Sequence, residues 1–339
     1  MMNIILAIND QYVVQASALI MSIHKNLRKD ASIIINIIHS TVTQEHQDII
    51  KNMVKDMDNI LEVKFVDMKQ FIANKTLYKF LPGGNSAYTT PEVYYRLFIQ
   101  TVFQEYDKAL YLDSDLIVCD DLSELYNTDI KDFYAAAVHE QKSFFKSALE
   151  LNNKTIEMED YLVNKLNITD SSYFNSGVML LNLDKMRKNN VQEKFLDFLY
   201  KKYPFFFCDQ CVLNSILHGK VKFLDRKYNV AYSNFNANNV ISIIHFAGLN
   251  KPWNCYKKNE GFELYWKYFK LTPFYNEKEE KVYLKLKSKY LKKKFIKIVL
   301  GKKCYRVKLF GYSFRISSKI VNFYRKSKQN IFSLWYNKK

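Results

Sequence analysis

Short apolar runs alternate with segments of helical spacing through the first half of the chain. NIILAI (3–8) predicts a first strand, and apolar residues over 12–26 then recur at helical spacing. IIINIIH (33–39) predicts a second strand, 43–57 a polar helix and LEVKFVD (61–67) a third strand. Pro91 followed by EVYYRLFIQTVF predicts a helix with proline in its first turn. KALYLDSDLIV (108–118) predicts the next strand, apolar enough to be buried on both faces. FYAAAVHE (133–140), FNSGVMLLNLD (174–184) and ISIIHFAG (241–248) supply further strands, with helical patterns at 186–202 and 209–218. This alternation is that of βα units around a mainly parallel sheet. After about residue 255 the pattern becomes aromatic and helical, and after 280 it becomes basic.

Within YLDSDLIV (111–118), a continuous strand would project Asp113 and Asp115 to the same face, because side chains alternate with period two. Two carboxylates held that close repel unless something neutralises them. Three readings follow: a pair binding a hard divalent cation, a general acid/base pair, or solvated turn residues. The expected position, where a strand gives way to polar residues, is where open α/β sheets bind ligands.

Composition narrows the class. With 339 residues, 48% of them hydrophobic, and only 8 Gly and 5 Pro, the chain is globular and can build a substantial core. The formal charge of +17 resembles that of a nucleic-acid binder, but residues 281–339 hold 19 Lys and Arg and no Asp or Glu, which leaves the first 280 at −2. Five cysteines form no evident framework and fit reduced thiols in a cytosolic compartment. Cys208 and Cys211 have CxxC spacing without a second pair, so packing is the expected role. The N-terminal apolar run lacks a basic flank and is interrupted by Asp10, unlike a signal peptide. No window reaches the roughly 18 apolar residues of a spanning helix, so the expected protein is soluble or peripherally bound.

A partner for the carboxylates stands in HFAGLNKPW (245–253). His245 offers imidazole nitrogen, Gly248 lets backbone approach a ligand, and Lys251 brings a mobile positive charge. Carboxylate, imidazole and ammonium together suit a pyrophosphate bridged by a metal.

With these elements in order, the chain resembles the bacterial members of glycosyltransferase family 8, which include lipopolysaccharide and lipooligosaccharide α-galactosyl- and α-glucosyltransferases. LAINDQY (6–12), YLDSD (111–115), FNSGVMLLN (174–182) and HFAGLNKPW (245–253) carry the resemblance, and DQCVLN (209–214) adds an Asp-Gln pair. HxxGxxKPW is its most specific element, and the match spans roughly residues 3 to 265.

The resemblance implies a GT-A α/β fold, with a Rossmann-like nucleotide-sugar-binding domain and a helical basic C-terminal appendage. It implies Mn (or Mg) held by Asp113, Asp115 and His245 on the diphosphate of a UDP-hexose donor. Ala7, Asn9 and Tyr12 would form the base pocket, with Asn9 standing where many relatives carry Asp. Gly248 and Lys251 would hold phosphate oxygens, with Arg96 and Ser114 beside the donor sugar and phosphate. Asn175, Ser176, Asp209 and Gln210 would line the donor sugar, Asp209 and Gln210 nearest the chemistry. Glu140 falls at an acidic acceptor contact, an exposed strand-end glutamate being the equal alternative. The implied reaction is retaining transfer of galactose or glucose to a saccharide or glycolipid acceptor, as in lipopolysaccharide or other surface-glycan synthesis. The runner-up readings are transfer to a protein or soluble acceptor, and a non-catalytic membrane- or nucleic-acid-binding protein keeping the fold.

The expected domains are a catalytic domain over 1–270 and a basic, aromatic region over 271–339. In that tail Lys and Arg interleave with Tyr, Phe, Leu and Trp, which suits an anionic membrane surface better than nucleic acid, since no nucleic-acid module is recognisable. The expected location is peripheral, on the inner face of the cytoplasmic membrane.

Overall fold

The computed structural model describes residues 1–72, 90–141, 148–151, 154–168, 172–202, 205–236, 238–256, 259–295, 299–300, 305–309 and 312–316. The basic run from 317 onward and Cys304 lie outside the described residues. The chain divides into two compact units, one of residues 1–251 and 259–276, the other of 252–258 and 277–339.

The first unit is organised by β1 (Met2–Ala7), β2 (Ile33–His39), β3 (Ile60–Asp67), β4 (Lys108–Leu112), β5 (Leu116–Val118), β6 (Ala135–His139), β7 (Ala148–Leu151), β8 (Lys154–Glu157), β9 (Phe174–Asn182), β10 (Val221–Phe223), β11 (Val230–Ala231) and β12 (Ile243–His245). Seven of these form the central sheet in the order β10-β6-β9-β4-β1-β2-β3. β4, β1, β2 and β3 run parallel to one another, as does β10 to β6, while β9 is antiparallel to both β4 and β6. The sheet is therefore mainly parallel, as expected. Ile4, Ile5 and Leu6 of β1 and Ile35, Ile37 and Ile38 of β2 are wholly buried, so both faces of these strands are covered and neither alternates with water. Helix Val13–Asn26 packs against β5 and helix Gln44–Val54 against β3, the second capped by Thr43 Oγ1 accepting from His46 N at 3.3 Å.

The expected strand 108–118 is two strands. β4 ends at Leu112 in the central sheet, and β5 begins at Leu116 in a separate three-stranded sheet ordered β11-β12-β5. Asp113, Ser114 and Asp115 form the turn by which the chain crosses between sheets, so the same-face argument for a continuous strand does not apply. The helix expected after Pro91 is a 3-10 helix, Pro91–Phe98, continued by one α turn, Ile99–Val102. Residues 186–202 hold two helices, Leu183–Lys188 and Val191–Lys202, broken at Asn190, whose φ of 51° is left-handed. The expected strand 241–248 is confined to Ile243–His245, beyond which the chain turns through Gly248 at φ +84°.

In the second unit a helix, Glu277–Phe295, is followed by the antiparallel strands β13 (Val299–Leu300), β14 (Tyr305–Leu309) and β15 (Tyr312–Ile316). Tyr256 packs edge-on against Tyr283 and Tyr290, which joins segment 252–258 to that helix. Among the described residues no helix is long and apolar enough to cross a membrane.

Candidate active site

Topology brings the candidate residues together. β1 and β4 are parallel, so Ala7 and Asp113 emerge at the same edge of the sheet. Because β9 is antiparallel to them, its first residues lie at that same edge. Asp113 N donates to Gly177 O at 2.8 Å, and Val138 near the end of β6 pairs with Asn175. The β6–β9 register shifts between Ala137 and Val138, so Ser176 and Gly177 bulge towards the carboxylates. From the second sheet, Leu116 pairs with His245, and Phe246 N donates to Asp115 O at 3.0 Å. That register sets the imidazole beside Asp115.

Each carboxylate divides its two oxygens. Asp113 Oδ1 lies 2.8 Å from Arg96 Nη2 and accepts from Tyr111 Oη at 2.9 Å, while its Oδ2 faces His245 Nε2 at 3.8 Å. Asp115 Oδ2 is ion-paired with Lys251 Nζ, and its Oδ1 faces His245 Nε2 at 3.3 Å. Asp113, Asp115 and His245 thus have ligand atoms within 4.8 Å of one another. Burial raises the Asp115 pKa, but Lys251 and His245 more than offset it and hold the carboxyl well below the usual range. Burial lowers the His245 pKa and Asp115 raises it, the net displacement being upward.

Gly177 makes room for this cluster. A Cβ there would collide with the His245 ring at Cε1 and sit 2.9 Å from Asp113 Oδ2. The hard-oxygen and imidazole set, with each unengaged oxygen turned to the same side, fits a six-coordinate divalent cation, whose adjacent ligands stand about 3 Å apart at bond lengths of about 2.1 Å.

Arg96 is buried against four groups. Besides Asp113 it meets Asp209 Oδ2 through Nε at 3.0 Å, an ion pair with poor hydrogen-bond alignment. It also donates to Ser176 O at 3.0 Å and lies 4.4 Å from the Tyr111 ring centre. Burial carries the Asp209 pKa up to about 6 in spite of Arg96. Asp209 and Gln210 stand in the first turn of helix Cys208–Leu217, whose N-cap position is Phe207, so neither is the cap. Asn214 on that helix accepts from Phe174 N at 2.7 Å and donates to Phe174 O at 2.9 Å, which pins the helix to the start of β9. Gln210 Oε1 consequently accepts from Ser176 N at 3.0 Å, and Gln210 Nε2 points at Glu140 Oε2, 3.4 Å away.

Two cavities share Asp113, Asp115 and Gly248. One, of about 260 Å³, is lined by Ala7, Asn9 and Tyr12 after β1, and by Arg96, Ser114 and Lys251. The other, of about 390 Å³, is lined by Glu140, Asn175, Gln210 and His245, together with Phe207 and Asn229. Lys251, expected as a mobile charge, is 6% exposed and also donates to Phe246 O at 2.8 Å. Asn9 Oδ1 accepts from Tyr12 N at 3.2 Å and so caps the turn that carries Tyr12, a service that Asp would perform equally. Cys211 is buried with its Sγ 3.5 Å from the hydroxyls of Tyr161 and Tyr173, consistent with a packing role.

Residues 3–256 match the family model of glycosyl transferase family 8. The chain belongs to that family. It is 29% identical over 296 residues to a lipopolysaccharide 1,2-glucosyltransferase of Escherichia coli, across 81% of this chain and 79% of the relative. To glycosyltransferase GlyB of Streptococcus pneumoniae serotype 4 it is 28% identical over 236 residues, across 64% of this chain and 50% of the relative. Among solved structures, the bifunctional glycosyltransferase WbbM superposes with a TM-score of 0.70 at 24% identity, over 84% of this chain and 52% of WbbM. The galactosyltransferase LgtC, solved with donor and acceptor sugar analogues, superposes with a TM-score of 0.64 at 20% identity, over 83% of this chain and all of LgtC. These neighbours establish the GT-A fold of this family 8 glycosyltransferase.

Sequence reasoning missed Asn229 in KYNVAY and Tyr111 in YLDSD. Tyr111 was legible as the strand residue two before Asp113, since alternation sends both to one face. Asn229 carried no signal of its own, because its partners lie far off in the chain.

Proposed function

We propose that the protein transfers a hexose, galactose or glucose, from a UDP-sugar to a hydroxyl of a saccharide acceptor with retention of configuration, using a divalent cation. The division of oxygens carries this reading: Arg96 and Lys251 each occupy one oxygen of a carboxylate, and Asp113 Oδ2, Asp115 Oδ1 and His245 Nε2 remain turned towards one another. Those three atoms would hold Mn or Mg. The cation would supply charge neutralisation on the diphosphate as the glycosidic bond breaks.

The chain's own residues would do the rest. Ala7, Asn9 and Tyr12 line the end of the smaller cavity where a uracil would lie, and Tyr12 offers a stacking surface. Arg96, Ser114, Gly248 and Lys251 would bind the phosphates and the adjoining sugar. Asn175, Ser176, Asp209 and Gln210 would orient the hexose, with Asp209 held by Arg96. Gln210 is an amide and a poor nucleophile, which favours attack by the acceptor hydroxyl from the face that UDP leaves, the departing phosphate oxygen taking the proton. Glu140 opens on the larger cavity, where its carboxylate would accept from acceptor hydroxyls.

The acceptor class we favour is a lipid-linked surface glycan, supported by the activity named for the Escherichia coli relative. The basic tail would then hold the enzyme at the anionic cytoplasmic face of the membrane. Removal of 281–339 would weaken binding to anionic vesicles while sparing hydrolysis of the donor, and unchanged vesicle binding would eliminate that role.

The decisive experiment is UDP release from a panel of UDP-sugars, with Mn or EDTA, by the intact protein and by Asp115→Asn. Metal-dependent hydrolysis of one donor, lost in the variant, is the expected result. Absence of both hydrolysis and metal-dependent UDP-sugar binding would sink the reading.

A further inference from the structure

We propose that Asn229 is a positioning residue that fixes which nitrogen of His245 faces the paired carboxylates, an inference that rests on the cation-binding reading above. His245 Nδ1 lies 2.9 Å from Asn229 Oδ1, Asn229 Nδ2 lies 2.9 Å from Asn175 Oδ1, and Asn175 Nδ2 lies 2.9 Å from Glu140 Oε2. Amide orientations and imidazole tautomers are settled by their partners, and here the Gly177 N–H and the Glu140 carboxylate are unambiguous.

A backbone group fixes the first orientation. Gly177 N–H can only donate, and it lies 3.0 Å from the Asn175 side-chain oxygen, so that atom is the carbonyl. Its amide nitrogen therefore faces Glu140, a carboxylate that accepts. With the Asn175 carbonyl also facing Asn229, the Asn229 atom directed at it must be the NH2. The Asn229 carbonyl is then left facing His245, and Nδ1 must carry the hydrogen. Nε2 is consequently the nitrogen directed at Asp113 Oδ2 and Asp115 Oδ1.

A lone pair on Nε2 among carboxylate oxygens is repulsive unless a cation or a proton stands between them. Asn229 thus commits the imidazole to an orientation that a cation relieves. It also ties the cation side of the site to Asn175 and Glu140 in the larger cavity, since each amide donates onward towards the Glu140 carboxylate. Partners of this kind on a metal-binding histidine alter metal affinity by about 10- to 100-fold.

Two substitutions separate the two bonds. Asn229→Ala removes both. Asn229→Asp keeps an acceptor for Nδ1–H and replaces the donor to Asn175 with a repelling oxygen. Binding of Mn²⁺ alone, followed by the loss of the free-ion electron paramagnetic resonance signal, should weaken 10- to 100-fold in Asn229→Ala and stay at or above the wild-type affinity in Asn229→Asp. In turnover assays Asn229→Asp should still lose rate, because the Asn175 bond is gone. Nitrogen-15 spectra of the metal-free full chain, at a pH where the imidazole is neutral, should show hydrogen on Nδ1 of His245. Hydrogen on Nε2 with none on Nδ1 in the wild type, or equal Mn²⁺ affinity in wild type and Asn229→Ala, would overturn the assignment. Wild-type protein that binds no Mn²⁺ would defeat the cation reading instead, and the nitrogen-15 spectrum would still decide the role of Asn229.

Discussion

On the Arg96 side of Asp113 and Asp115, the site is held by formal charges; on the Asn229 side, it is held by neutral amides. Arg96 bridges Asp113 and Asp209, and Lys251 pairs with Asp115; Arg96, Asp209 and Lys251 are buried, while Asp113 and Asp115 are partly exposed. Such charge-assisted bonds contribute about 1.5–3 kcal/mol each, and either partner left alone is costly. Across the carboxylates, Asn229, Asn175, Gln210 and Ser176 make bonds of about 0.5–1.5 kcal/mol, whose value lies in direction more than in strength. Rigidity is therefore expected on one side and selectivity on the other. The charged side fixes the carboxylates whatever is bound, whereas the amide side offers hydroxyl-sized donors and acceptors in set orientations, as a sugar requires.

The largest effect should come from the charged side. Asp115→Asn is expected to lower turnover by about 100-fold or more. It also removes the counter-charge of the buried Lys251 ammonium, which keeps its bond to Phe246 O, so thermal unfolding should shift down. A variant with wild-type melting behaviour would show that the ammonium escapes to water and that the charged side is softer than argued.

Gly177→Ala comes next, because the added methyl meets the His245 ring. Titration with Mn²⁺ should show at least tenfold weaker binding, in the range typical of disturbed metal-ligand orientation. Unchanged affinity would mean that β9 yields at its bulge.

On the amide side, Gln210→Ala should lower turnover about tenfold while Mn²⁺ affinity stays within about twofold, since one lost hydrogen bond is worth about 1–1.5 kcal/mol. Equal losses in both measurements would erase the distinction between the two sides.

The remaining effect is read in the pH dependence of stability. The Asp209 carboxyl keeps its proton up to about pH 6 in the folded protein, above the 3.8 of the unfolded chain. Between those values the unfolded state loses its proton first, so this group makes stability fall as pH rises from about 4 to 6. Replacing it, as in Asp209→Asn, should flatten that part of the stability profile measured by denaturant unfolding. An identical slope in the variant would place the titration elsewhere.

The strands of the central sheet were legible because IIINIIH and NIILAI have no polar face to offer water, and FNSGVMLLN is apolar between its first residues and Asn182. The meeting of Asp113, Asp115 and His245 was legible through residue type and resemblance. The crossing between sheets at Asp113–Asp115 was not, since β4 and β5 are both apolar and two acidic residues one apart mimic the alternation of a single strand. Nor was the burial of Lys251, because its counter-charge lies 136 positions earlier. Asn229 escaped notice for a related reason: a lone Asn beside Tyr reads as a turn residue, and only the pairing of β11 with β12 brings it near His245.

The passage of the chain from one sheet to the other at Asp113–Asp115 has a mechanical meaning as well as a chemical one. Asp113 leaves the seven-stranded sheet and His245 ends a strand of the three-stranded one. An ion gripped by both would act as a rivet between two sheets already joined by the turn and by the Asn229–Asn175 bond. At a hundredfold excess over its dissociation constant, a ligand of the native state alone adds about 2.7 kcal/mol to stability. The atoms that would prepare the leaving group would thereby also serve as a clasp for the architecture around them.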